Sequence, residues 1–208
     1  MGNSKIAEYL LKIKAVRLST QEPFTWASGW RSPIYCDNRL TLSYPEIRAA
    51  IRDAFVAEIQ ARYPQATGVA GVATGAIAQG VLVAEAMGLP FIYIRSKAKG
   101  HGMQNLIEGQ LDPEGQYVVI EDLISTGGSS AKAVEALQAS GATVLGTLAI
   151  FSYGFPQAEA TFAATGTPCD SLTNLAQLLE KALEYEYLQD HERDTIFAWQ
   201  QDPAHWGQ

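Results

Sequence analysis

The chemistry of this chain is concentrated in the segment 117–129, Tyr-Val-Val-Ile-Glu-Asp-Leu-Ile-Ser-Thr-Gly-Gly-Ser. Two adjacent acids, Glu121 and Asp122, close an apolar run and can bind sugar hydroxyls or Mg²⁺. Leu123 and Ile124 follow, then Ser125, Thr126, Gly127, Gly128 and Ser129. The hydroxyls can donate to an anion, and the glycines let backbone N–H groups approach it closely. The periodic segment that comes next, 131–137, predicts a helix whose positive end points at the same anion. One loop could therefore hold a phosphorylated sugar by both ends. A plain strand–loop–helix with an acid at its exit is the alternative, but it does not call for paired acids beside a Ser/Thr/Gly cradle. No Gly-Lys-Ser/Thr follows, and no G-x-G-x-x-G opens the helix, so neither a Walker loop nor a dinucleotide fingerprint is present.

Three other segments carry unusual residues. Arg95, Lys97, Lys99 and His101 stand close together among Gly100 and Gly102 in a chain that is acidic elsewhere. A charge run is usually a solvated face. The glycines and the lack of periodicity point instead to a mobile basic loop that closes over a polyphosphate and neutralises a leaving group. Thr74 and Gly75 sit in a small-residue turn that either offers N–H groups to an anion or simply joins a strand to a helix. Residues 24–39 combine aromatics, turns and two arginines, Arg31 and Arg39. They can hold a flat heteroaromatic acid by stacking and charge, or form a hydrophobic flap.

These loops need a scaffold, and the apolar spacing supplies one. Helices are expected over 4–14, from Pro45 to about Tyr63, over 77–87 with Gly88 as its cap, over 128–139, and near 173–186 and 190–200. Strands are expected over 68–73, 91–95, 117–121 and 143–151, with a polar, aperiodic stretch at 96–116. Strands alternating with helices imply a parallel sheet covered on both faces. Ligands sit beyond the carboxyl ends of such strands, so the loops after 73, 95 and 121 should meet. The chain reads as one domain, 1–208, with an N-terminal hood over 1–44, a core over 45–165 and C-terminal helices over 166–208.

Composition sets limits. The 208 residues are 47% hydrophobic, enough for a sizeable core, and the formal net charge is −7. Such a surface argues against a nucleic-acid partner. Cys36 and Cys169 lie far apart without metal-ligand spacing, which fits a reducing compartment. No apolar stretch is long enough to span a bilayer, and the N-terminus lacks a signal-peptide core, so a soluble cytoplasmic protein without a membrane partner is expected.

Taken together, the segments resemble the orotate phosphoribosyltransferases, a family within the type I phosphoribosyltransferases. The stretch Phe-Thr-Trp-Ala-Ser-Gly…Ser-Pro-Ile-Tyr-Cys-Asp-Asn-Arg at 24–39, the loop from Arg95 to His101 and the segment 117–129 lie in that family's order, over about residues 5 to 200. The resemblance implies the type I phosphoribosyltransferase fold, an α/β core with a central parallel sheet flanked by helices and a small N-terminal hood. It implies transfer of ribose 5-phosphate from phosphoribosyl pyrophosphate (PRPP) to orotate, in pyrimidine (UMP) biosynthesis. It also implies a homodimer whose basic loops serve the partner's site, with Mg²⁺ held mainly through PRPP and in part through Glu121 or Asp122.

By position, Glu121 and Asp122 take the ribose hydroxyls, and Ser125, Thr126, Gly127, Gly128 and Ser129 the 5′-phosphate. Leu123 and Ile124 lie within the same PRPP-binding segment. Arg95, Lys97, Lys99, His101, Thr74 and Gly75 attend PRPP and its pyrophosphate, with Lys99, His101 and Asp122 as the catalytic set. Ser28, Tyr35, Arg39 and Ser125 are the expected orotate contacts. The chain departs from the family's habit at four places. Ala27 and Gly75 stand where many members carry lysine, Ser96 where many carry a second basic residue, and no arginine lies near Tyr153 and Gly154. Arg39 is the expected substitute at the orotate carboxylate. A phosphoribosyltransferase for a purine base, or a PRPP-sensing regulator on the same fold, is the alternative reading.

Overall fold

The computed structural model describes residues 4–97 and 106–207. A six-stranded sheet forms its centre, in the order β10 (Cys169–Asn174), β9 (Thr143–Ser152), β8 (Gln116–Ile124), β5 (Gly68–Val72), β6 (Phe91–Ile94), β7 (Ile107–Glu108). All neighbours are parallel except β6 and β7, which pair antiparallel through Tyr93↔Glu108 and Ile94↔Ile107. The α/β architecture is the one the sequence implies.

Both faces of the sheet are buried, so its central strands carry apolar runs such as 118–120 of β8 and 148–151 of β9. Val118, Ile120, Leu148 and Ile150 join one core with α1 (Ser4–Lys12), α2 (Pro45–Arg62), α3 (Ile77–Met87), α6 (Leu175–Glu184) and α7 (Asp190–Gln201). Tyr117, Val119 and Ala149 join a second core with α4 (Gly128–Ala139) and α5 (Pro156–Thr165). The helices begin and end where local chemistry dictates. Pro45 opens α2, which buries Ile47, Ile51, Phe55 and Ile59 at four-residue spacing. Gly88 closes α3 in the left-handed region, at φ 65°.

The topology fixes where a ligand can bind. From β5 the chain moves outward to β6 and β7, then returns to the other side of β5 for β8, β9 and β10. Strand order therefore reverses between β5 and β8, and a crevice opens beyond their carboxyl ends. The turn at Thr74–Gly75 leaves β5 there, and Asp122 of β8 lies against it.

The N-terminal residues form the cover. β1 (Val16–Leu18) pairs with β4 (Ile34–Cys36), and β2 (Phe24–Thr25) with β3 (Arg31–Ser32). A 3₁₀ turn, Asn38–Ser43, then leads into α2. The cover is fastened by aromatic packing. Trp26 lies 5.1 Å from Tyr153 and 5.7 Å from Trp199, ring centre to ring centre. Trp199 is wholly buried and its Nε1–H donates to the Arg31 carbonyl at 3.2 Å. Thr20 donates to Glu192 at 2.8 Å. The last helix thus holds the cover onto the core rather than simply ending the chain.

Several elements differ from the sequence expectation. β8 runs to Ile124 rather than stopping near residue 121, because Leu123 and Ile124 still pair with Phe151 and Ser152. The stretch 96–116 contains the short β7. The helix α5 was not expected; only Ala158 and Phe162 of its ten residues are buried, so its apolar face is faint. The expected C-terminal helical stretch from 166 opens with a strand, β10, and α6 starts at Leu175 rather than 173. β10 edges the sheet and is polar along most of its length, which hides it from an apolar pattern.

Candidate active site

Asp122 is the point where three parts of the chain meet. A Cβ placed on Gly75 would overlap the Asp122 carboxylate, so the turn after β5 lies directly against that acid. The Asn38 amide of the cover donates to the Asp122 carbonyl at 2.6 Å. The cradle 125–129 begins three residues on. Asp122 is partly exposed, as are Ser125 and Thr126, while Ser129 and Thr74 are open to solvent.

Glu121 is different. It is 4% exposed, its Oε1 accepts the Asp122 N–H at 2.9 Å, and its Oε2 accepts from the Ser130 hydroxyl at 2.6 Å. Burial, with the Asp122 carboxyl beside it, pushes the Glu121 carboxyl up to about 8. Of the two acids, Asp122 is the one that faces the crevice.

The cradle leads into a helix start without a side-chain cap. Gly127 takes the left-handed conformation, at φ 80°, and caps α4 without a side-chain hydrogen bond. The first-turn amides of α4 are thus left without a side-chain cap. Gly127 is itself buried against Phe162, and Ile124 is buried in the second core, so both contribute backbone rather than surface. The Ala73–Thr74 peptide is cis.

The cover closes over this cradle. Trp26, Ala27, Ser28, Trp30, Ser125 and Thr126 line one cavity of about 410 Å³. It brings the expected orotate contacts Ser28 and Ser125 together. A second cavity, about 460 Å³, lies between α5 and β10, but Ile124 is the only expected site residue on its wall. Tyr35 packs 5.7 Å from Phe24, and the Arg17 guanidinium sits 4.9 Å above its ring. Arg39 is exposed and paired with Asp37 at 2.8 Å; its guanidinium also feels Asp122 and Tyr35. Cys36 donates its thiol to Asn38 at 3.3 Å, and burial holds that thiol well above its usual range.

The basic loop is anchored at its base. Arg95 pairs with Glu108 at 3.1 Å, and its N–H donates to the Leu106 carbonyl at 2.8 Å. Lys97 is exposed. Lys99 and His101 lie outside the described residues. Asn38, which ties the cover to Asp122, and Ser130, which holds Glu121, have no role in the sequence expectation. Both act through contacts that cross elements and leave no local pattern.

No cluster of three or more His, Cys, Asp or Glu that could hold a metal occurs among the described residues. The hard donor open to the crevice is the Asp122 carboxylate; Glu121 is buried with both oxygens engaged. That suits Mg²⁺, which keeps much of its shell from water and phosphate and takes one or two carboxylates.

No family model matches the chain. A curated relative, the orotate phosphoribosyltransferase of Bacteroides fragilis, is 52% identical over 200 residues, covering 96% of this chain and 94% of that one. The orotate phosphoribosyltransferase structure from Aeropyrum pernix superposes with a TM-score of 0.76 at 32% identity, over 86% of this chain and 98% of that one. A Mycobacterium tuberculosis orotate phosphoribosyltransferase in complex with PRPP superposes at 0.65 with 26% identity, over 84% and 97%. The fold is that of the type I phosphoribosyltransferases. Within that class the chain belongs to the orotate phosphoribosyltransferase family.

The Glu121 carboxyl gives a test by pH. Its folded pKa lies above the unfolded value, so its contribution to stability is whole below about pH 4 and is lost as pH rises through its folded pKa. Glu121→Gln cannot ionise. The melting temperature of the variant should therefore gain on that of the parent between about pH 4 and about pH 8 and level off above that. A gap that stays constant across that range would mean the carboxyl titrates normally.

Proposed function

We propose that this chain catalyses the Mg²⁺-dependent transfer of ribose 5-phosphate from PRPP to N1 of orotate. The products are orotidine 5′-phosphate and pyrophosphate, and the reaction belongs to pyrimidine (UMP) biosynthesis in the cytoplasm. The observation that carries the reading is the cavity shared by Ser28 of the cover and Ser125 and Thr126 of the cradle. It supports a base pocket beside a sugar-phosphate site, in a chain 52% identical over 200 residues to a curated orotate phosphoribosyltransferase.

The roles follow from position. The amides and hydroxyls of 125–129 take the 5′-phosphate. Asp122 takes the ribose hydroxyls, with Glu121 packed behind it. Thr74 and Gly75 offer backbone to the pyrophosphate at the crevice floor. Ser28, Tyr35 and Arg39 face the base, Arg39 in place of the basic residues that Ala27 and the Tyr153 region lack. Bond breaking at C1′ runs ahead of bond making, so the protein's work is to hold the base in line and to stabilise departing charge. Mg²⁺, when bound with PRPP, supplies further neutralisation of the pyrophosphate. Lys99 and His101 bring the cations for that leaving group, with Arg95 and Lys97 at the root of their loop. The charge of orotate is its carboxylate; as the N1–C1′ bond forms and the C1′–O bond to pyrophosphate breaks, the N1 proton leaves to the departing pyrophosphate or to water.

Orotate consumption on mixing with PRPP and Mg²⁺, followed by absorbance, tests the reading. Turnover of adenine or hypoxanthine as fast as orotate would contradict it.

The long basic loop suits a homodimer in which each loop serves the partner's cradle. Lys99→Ala and Asp122→Asn chains, each inactive, should recover activity when refolded together, because one site in the mixed dimer receives both a good loop and a good cradle. Mixed dimers that stay as inactive as either parent would place the loop over its own cradle.

A further inference from the structure

We propose that Ser130 is a positioning residue that sets the distance between the sugar end and the phosphate end of the PRPP site. The inference rests on the reading of 122 and 125–129 given above. Ser130 lies in the first turn of α4, immediately after the cradle, and is 1% exposed. A buried serine in a helix commonly returns its hydroxyl to a carbonyl one turn back. This one does not. Its Oγ donates to Glu121 Oε2 at 2.6 Å, and the other Glu121 oxygen accepts the Asp122 N–H at 2.9 Å. The bond closes a ring of chain from 121 to 130, and every residue assigned to the sugar and its phosphate lies inside that ring.

The consequence is mechanical. β8 carries Asp122, and α4 carries the amides that face the phosphate. Between them runs a loop of hydroxyls and glycines, which has little stiffness of its own. The Ser130–Glu121 bond is buried, where hydrogen bonds are strong and an abandoned partner is costly. It fixes the start of α4 against the end of β8. A ligand that touches only the α4 amides does not need that spacing. A ligand that spans both ends does.

The test uses the whole protein and two probes of different reach. Ribose 5-phosphate spans both ends; inorganic phosphate occupies one. Phosphorus NMR titrations of the parent, Ser130→Ala and Ser130→Thr give the affinities. Ser130→Ala should bind ribose 5-phosphate about tenfold more weakly while inorganic phosphate binding stays within about twofold. In the same enzyme the KM for PRPP should rise and the KM for orotate should not. Ser130→Thr, which keeps the hydroxyl, should restore ribose 5-phosphate binding. Equal weakening of both probes by Ser130→Ala would mean the cradle itself has loosened and would overturn the proposal. So would unchanged binding of both. If the parent binds inorganic phosphate but gains nothing from the ribose, the sugar assignment of Asp122 is wrong and the inference falls with it.

Discussion

The site depends on one close contact, that of the Asp122 carboxylate with the backbone of Gly75. It can form only because position 75 has no side chain, since a Cβ there would overlap the carboxylate. The contact joins the turn after β5 to the end of β8 across the point where strand order reverses. Asn38 adds the third part by donating to the carbonyl of the same residue. The turn after β5, the end of β8 and the cover are thereby referred to one residue.

Charge is divided in the same economical way. The chain carries a formal net charge of −7, yet its substrates are anions. Cations are therefore concentrated in the loop from Arg95 to His101. The cradle offers neutral donors instead: hydroxyls and the first amides of α4. Burial keeps the Glu121 carboxyl high, so it can sit behind Asp122 without doubling the negative charge that the PRPP phosphates would meet.

Much of this was readable in the sequence. The helices α2, α3 and α4 are expected because apolar spacing agrees with Pro45 at one start and Gly88 at one end. The strands β5, β6, β8 and β9 are expected because a sheet buried on both faces needs unbroken apolar runs. The site loops stand out because their residue types make poor structure and good ligands. What escaped was tertiary. The polar edge strand β10 and the faintly apolar α5 are stabilised by neighbours, not by pattern. The union of Trp26 with Trp199 joins residues from opposite ends of the chain. The Ser130–Glu121 bond pairs a helix residue with a strand residue, and nothing local announces it.

PRPP affinity in Gly75→Ala, measured by calorimetry with Mg²⁺ present, tests recognition at the junction of Gly75 and Asp122 most directly. Gly75 is on a turn, outside both cores, so the variant should fold and melt close to the parent. Its added methyl group must displace the Asp122 carboxylate, and PRPP affinity should fall by roughly 10²-fold. A folded Gly75→Ala protein that binds PRPP as tightly as the parent would contradict the account.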